Sequence, residues 1–162
     1  MCGIAGLIMK SGQSPAELKN LLKRMTDSIE HRGPDAEGSW LEKGDGDDQA
    51  DIALGHRRLS IIDLAAGAQP MQSDDGRYVI VFNGEIYNFR DIKEELGADC
   101  SFQTESDAEV LLKLYQRYGQ DMVLHLRGMF AFAIYDRSQK TLFAARDHLG
   151  QKPFYYHHAG EK

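Results

Sequence analysis

The chain has 162 residues, of which 42% are apolar and 27% charged, and carries a net charge of −6. That length fits one domain, 1–162, with a real core, because a domain of this size buries about 70% of its unfolded surface. The acidic balance argues against nucleic acid as the main partner, the apolar content against disorder, and two cysteines against a disulfide scaffold.

Met1-Cys2 opens the chain, and removal of the initiator methionine would make Cys2 the first residue. Such a cysteine carries a nucleophilic thiol and an α-amine with a reference pKa of roughly 7.7 to 8.0, partly neutral near physiological pH. No basic segment with an apolar run follows, so no secretory signal is expected. The apolar stretch Met129 to Tyr135 is too short to span a membrane. A reducing cytoplasm is the expected setting.

Gly3 to Met9 reads as a short buried strand holding Cys2 at its end. Ser14, Pro15 and Glu17 form an N-cap, a first-turn proline and a capping box. The helix they open carries Leu18, Leu21, Leu22, Met25 and Ile29 on one face and stops at His31-Arg32-Gly33-Pro34-Asp35. Ser39–Leu41 and Ile52–Gly55 look like strands joined by the acidic turn of Asp45, Asp47, Asp48 and Asp51. Leu59 to Leu64 reads as a further extended piece.

Tyr78 to Phe82 is a strand running into Asn83-Gly84-Glu85. Asn-Gly there is a strong turn signal. The alternative is functional: a side-chain amide and an unhindered backbone N–H at a strand end can converge on one oxygen. Asn88 is positioned to cap a short helix ending at Leu96-Gly97, and Ser106-Asp107-Ala108-Glu109 reads as a second capping box opening a helix closed by Gly119. Met129–Tyr135, Thr141–Ala145 and Pro153–Tyr156 read as three closing strands. Short connections favour antiparallel pairing, which gives an α+β sandwich.

Gly55-His56-Arg57-Arg58-Leu59-Ser60 carries either solvated charge or a guanidinium fork for a substrate carboxylate. Asp107 is either a helix-start charge or a seat for an ammonium group. Opposed charges at Arg58 and at Asp107 or Glu85 suit an α-amino acid zwitterion. His31 and His56 are candidate partners for a Cys–His pair, though their spacing favours this no more than loop structure. No Cys/His set has zinc spacing, and no glycine-rich phosphate loop is present.

Met1-Cys2-Gly3-Ile4, His31 to Asp35, Gly55 to Asp63, Phe82 to Asn88, Ser106-Asp107, Gly128 to Phe132 and Ala145 to Gly150 together resemble the glutaminase domain of glutamine-hydrolysing asparagine synthetases. These are class II glutamine amidotransferases of the N-terminal nucleophile hydrolase type. The resemblance implies a four-layer sandwich of two antiparallel β-sheets faced by helices, and hydrolysis of L-glutamine to glutamate and ammonia.

Carried over by position, it implies Cys2 as nucleophile with its α-amine as base, and Asn83 and Gly84 as oxyanion donors. Arg58 would hold the glutamine carboxylate, with Glu85 and Asp107 around its amine and the backbone of Leu59 and Ile61 lining the pocket. It implies no cofactor in this domain. A C-terminal synthetase domain using ATP and magnesium would receive the ammonia, with a homodimer left open. Two other readings are an N-terminal nucleophile amidase acting on another amide and, if Met1 is retained, a non-catalytic regulatory domain.

Overall fold

The computed structural model describes residues 2–10, 12–44, 50–59, 67–97 and 100–159. Strand β1 (Gly3–Lys10) leads to helix α1 (Pro15–Ser28), one 3₁₀ turn (Glu30–Arg32), then strands β2 (Ala36–Glu42) and β3 (Ala50–Arg58). A two-residue strand β4 (Met71–Gln72) precedes β5 (Tyr78–Ile86), helices α2 (Phe89–Leu96) and α3 (Asp107–Tyr118), a second 3₁₀ segment (Gly119–His125), and strands β6 (Gly128–Asp136) and β7 (Thr141–Arg146). One sheet has the order β1-β3-β2 and the other β4-β5-β6-β7, all pairs antiparallel.

The pleat of the strands sorts their side chains into layers. On β3, Ile52 and Leu54 point at the second sheet, where they meet Val79 and Val81 of β5 and Ala133 and Tyr135 of β6. Ala53, one residue out of phase, meets Leu18 and Leu22 of α1 instead. The opposite face of the second sheet presents Ile80, Phe82, Phe130, Phe132 and Ile134 to α2 and α3, which answer with Ile92, Leu96, Val110, Leu111 and Leu114. Helix, sheet, sheet and helices thus form four layers, the α+β sandwich expected. Helix α1 starts as its sequence dictates: Ser14 Oγ accepts from Glu17 N at 3.2 Å, and Glu17 returns the bond to Ser14 N at 2.8 Å.

Four local expectations are corrected. Asn83-Gly84 is not a turn, because β5 runs through both residues and pairs Gly84 with Phe130. Glycine is needed there for close strand approach: a Cβ on Gly84 would land on the Met129 carbonyl oxygen and 2.7 Å from Phe130 Cα. One on Gly128 would strike the Glu85 carbonyl oxygen across the same gap. Pro153–Tyr156 forms no strand, and Tyr155 and Tyr156 are almost wholly exposed, with no strand beside them. Ser106 caps α3 by accepting from Ala108 N at 3.2 Å, but Glu109 turns away to Gln103 N and Thr104 N, so no box closes.

Asn88 precedes α2 without capping it. Its side chain donates to His125 O and accepts from Arg127 N, both at 2.9 Å. Of the extended piece expected over Leu59–Leu64, only Leu59 is among the described residues. No helix among the described residues is long and apolar enough to cross a membrane.

Leu22 is fully buried between α1 and β3. Leu22→Ala is therefore expected to lower the unfolding free energy by about 2–5 kcal/mol in chemical denaturation.

Candidate active site at the strand ends

Ile4 packs into the layer between the sheets, as do Ile52 and Leu54. The even-numbered residues of β1 and β3 therefore face the second sheet, and the alternation carries His56 and Arg58 onto that face. Gly3 pairs with Arg57, so Cys2, just ahead of β1, lies alongside Arg58. Cys2 is half-buried; its Sγ lies 3.8 Å from Leu59 O, and its carbonyl accepts from Arg32 Nε at 3.2 Å. The turn carrying Arg32 presses onto the end of β3, since a Cβ on Gly33 would lie 2.6 Å from Arg58 N.

On β5, Val79 and Val81 face the first sheet, so Asn83 and Glu85 face it too. Asn83 is buried and Glu85 exposed. The main chain of β5 has its own alternation. Tyr78 N donates to Ser73 Oγ at 2.9 Å, Phe82 N to Gln69 Oε1 at 2.6 Å and Ile86 N to Asp107 Oδ2 at 3.2 Å, all on the edge away from β6. Tyr87 N donates on the opposite edge, to Arg127 O at 2.8 Å. Gly84 N–H therefore points along the outer edge, between two N–H groups held by side chains. An inward amide from Asn83 and an edge N–H from Gly84 meet at one corner of the second sheet.

The two arginines separate by the same alternation. Arg57 turns to the α1 face, where it donates to Thr26 O at 3.2 Å and pairs with Asp27 and with Glu37 at 2.8 Å. Arg58 faces the other way. The point a Gly67 Cβ would occupy lies 3.6 Å from Arg58 Nη2 and 3.5 Å from Ser106 Oγ, so the guanidinium and the N-cap of α3 flank the same glycine. Asp107 begins that helix. Burial raises its carboxyl from the ordinary 3.8 to about 6, against the lowering effect of the backbone N–H groups it accepts from, with Glu85 adding like charge.

His56 is fully buried with Nε2 3.2 Å from Phe82 O, and burial lowers its pKa to about 4. That bond ties His56 to the second sheet, Cys2 Sγ lies instead against Leu59 O, and His31 is exposed. Gln69 is a site neighbour that sequence pattern alone did not single out, and His56, weighed only as a partner for the thiol, instead meets Phe82. Ile61 lies outside the described residues. Among the described residues, no group of three or more His, Cys, Asp or Glu could hold a metal ion.

A family model described as a glutamine amidotransferase domain matches residues 1–162. Asparagine synthetase [glutamine-hydrolyzing] 1 of Bacillus subtilis is 43% identical over 158 residues, covering 96% of this chain and 24% of the relative. Asparagine synthetase B of Escherichia coli is 41% identical over 96% of this chain and 26% of its own length. Amidase chry2 of Gibberella zeae is 40% identical over 96% and 24%. The chain thus spans about a quarter of the length of these relatives. Among solved structures, the glutamine phosphoribosylpyrophosphate amidotransferase of B. subtilis superposes with a TM-score of 0.63 over 83% of this chain and 35% of that one. At 23% identity it speaks for the fold alone.

Asp107 has a testable consequence by itself. Its folded pKa lies above its unfolded one, so its contribution to stability is full below about pH 4 and is lost as pH rises through about 6. Asn in its place can still accept from Ile86 N without carrying charge. Relative to the parent, Asp107→Asn should gain unfolding free energy between pH 4 and 7, by about 1–3 kcal/mol, in denaturant titrations at each pH.

Proposed function

Since the chain belongs to the glutamine amidotransferase domain family, we propose that it hydrolyses L-glutamine to glutamate and ammonia through a thioester on Cys2. One observation carries the reading. Cys2 and Arg58 sit side by side at the end of the first sheet, facing the corner of the second that offers the Asn83 amide and the Gly84 N–H. A nucleophile, an anchor for a carboxylate and a pair of oxyanion donors share one site.

In this reading the Cys2 thiolate attacks the side-chain amide carbon of glutamine. The negative charge on oxygen rests on Asn83 and Gly84, which were already in place and need no reorganisation. The terminal ammonium gives a proton to the departing nitrogen, the carbon–nitrogen bond breaks, and ammonia leaves a γ-glutamyl thioester. The same amine then takes a proton from water, whose oxygen attacks the thioester and releases glutamate and the thiol. Arg58 holds the substrate carboxylate, while Asp107 and Glu85 attract its ammonium. The backbone of Leu59, whose carbonyl lies beside Sγ, lines the pocket.

We assign the ammonia to an ATP-dependent amidation of the asparagine-synthetase kind, carried out by the part of such a protein that this chain does not span. ATP and magnesium belong to that part, and no step above passes through them. Within the chain, the opposed charges at Arg58 and Asp107 favour a free amino acid over a peptide or N-acyl amide.

Ammonia release from glutamine should far exceed turnover of N-acyl and peptide amides, and preference for the latter would sink the reading. Cys2→Ala should remove the activity while leaving thermal unfolding near the parent. Intact-mass measurement should find Met1 absent, and a fully active chain that keeps Met1 would refute the terminal amine as base. Asn83→Ala should reduce kcat on the order of a hundredfold.

A further inference from the structure

His56 takes no part in the chemistry above, yet it is buried at the seam between the sheets. Its neighbours explain what it can do there. Strand β4 pairs with Val79 and Ile80, so from Phe82 onward the outer edge of β5 has no strand partner among the described residues. Both polar groups of Phe82 are met by side chains: Gln69 Oε1 accepts from Phe82 N at 2.6 Å, and His56 Nε2 lies 3.2 Å from Phe82 O. The two side chains stand together, because Gly38 is opposite His56 in the β2–β3 register and a Cβ on Gly38 would land on the Gln69 carbonyl oxygen. Facing a carbonyl, Nε2 must carry the proton of the neutral ring.

We propose that His56 is a positioning residue for the oxyanion donors: its Nε2–H on the Phe82 carbonyl fixes the peptide joining Phe82 to Asn83. That peptide sets the direction of the Asn83 side chain and, one residue on, of the Gly84 N–H. The inference rests on the glutaminase reading and adds a residue that touches neither substrate nor thiol. Without this bond, the Phe82–Asn83 peptide is held only from the β6 side, where Asn83 pairs with Ala131, and its carbonyl can tilt at the outer edge; a displacement of about 1 Å at a catalytic group can cost on the order of a hundredfold in rate.

Glutamine and asparagine separate the bond from the bulk of the ring. The Gln amide nitrogen reaches about as far as Nε2, whereas Asn is one methylene shorter and falls short of Phe82 O. His56→Gln should keep kcat for glutamine hydrolysis within about threefold of the parent, and His56→Asn should lower it about tenfold or more. KM should stay within about twofold in both. The rate at which iodoacetamide alkylates Cys2, a reaction that uses no oxyanion donor, should be unchanged in both.

Equal kcat in the two folded variants would overturn the proposal. So would a joint loss of kcat, KM and Cys2 alkylation in H56N, the mark of a collapsed site, and so would failure of both chains to fold, which would make His56 a core residue only. A parent chain releasing no ammonia from glutamine would overturn the glutaminase reading and this inference with it. An active parent in which H56N matches H56Q removes the inference alone.

Discussion

Strand β5 outlasts its neighbour, and the site depends on that inequality. Beyond the two residues of β4, the N–H and C=O groups on one edge of β5 have lost their ladder, and a buried backbone group without a partner costs about as much as a lost hydrogen bond. Gln69, His56 and Asp107 supply partners at Phe82 and Ile86. The interval between them holds Gly84. What would be a defect in the interior of a sheet becomes, at this corner, a place where a backbone donor is aimed by its neighbours.

The first sheet meets this corner with charges already sorted by the pleat. Arg57 and Arg58 are adjacent in sequence and opposite in role. One is tied to Asp27 and Glu37 on the helix face, and the other is carried between the sheets toward the start of α3. There Asp107 is half-buried with its proton affinity raised, so burial makes its charge costly. In the proposed function a substrate ammonium would offset that cost, and substrate binding and the ionisation of Asp107 would reinforce one another. The same carboxylate also holds Ile86 N, which links the start of α3 to the strand bearing Asn83 and Gly84.

Much of this was legible in the sequence, and the misses share a cause. The layers followed from period: Leu18 and Leu22 at helical spacing and Val79 and Val81 at strand spacing each declared the face they bury. The motifs around Cys2, Arg58, Asn83 and Asp107 supplied the residues on which the proposed site rests. Asn83-Gly84 misled as a turn signal because the need for glycine comes from Met129 and Phe130, some 45 residues away in the chain. Glu109 misled as a capping-box residue because Gln103 and Thr104 competed for it. His56 and Gln69 were invisible as partners of Phe82, since nothing local announces a contact between sheets. Pattern reveals what a residue does for its own element; it is silent on what it does for another.

The glycine pair across β5 and β6 carries a consequence for reading natural variation. Gly84 and Gly128 sit on either side of one interstrand gap, and in each case an added methyl would meet main chain, which no change of rotamer can relieve. The strands would have to part, and the Gly84 N–H would move with them. A missense change at Gly128, which bears no functional group, would then reach the Gly84 N–H through the strand pairing alone.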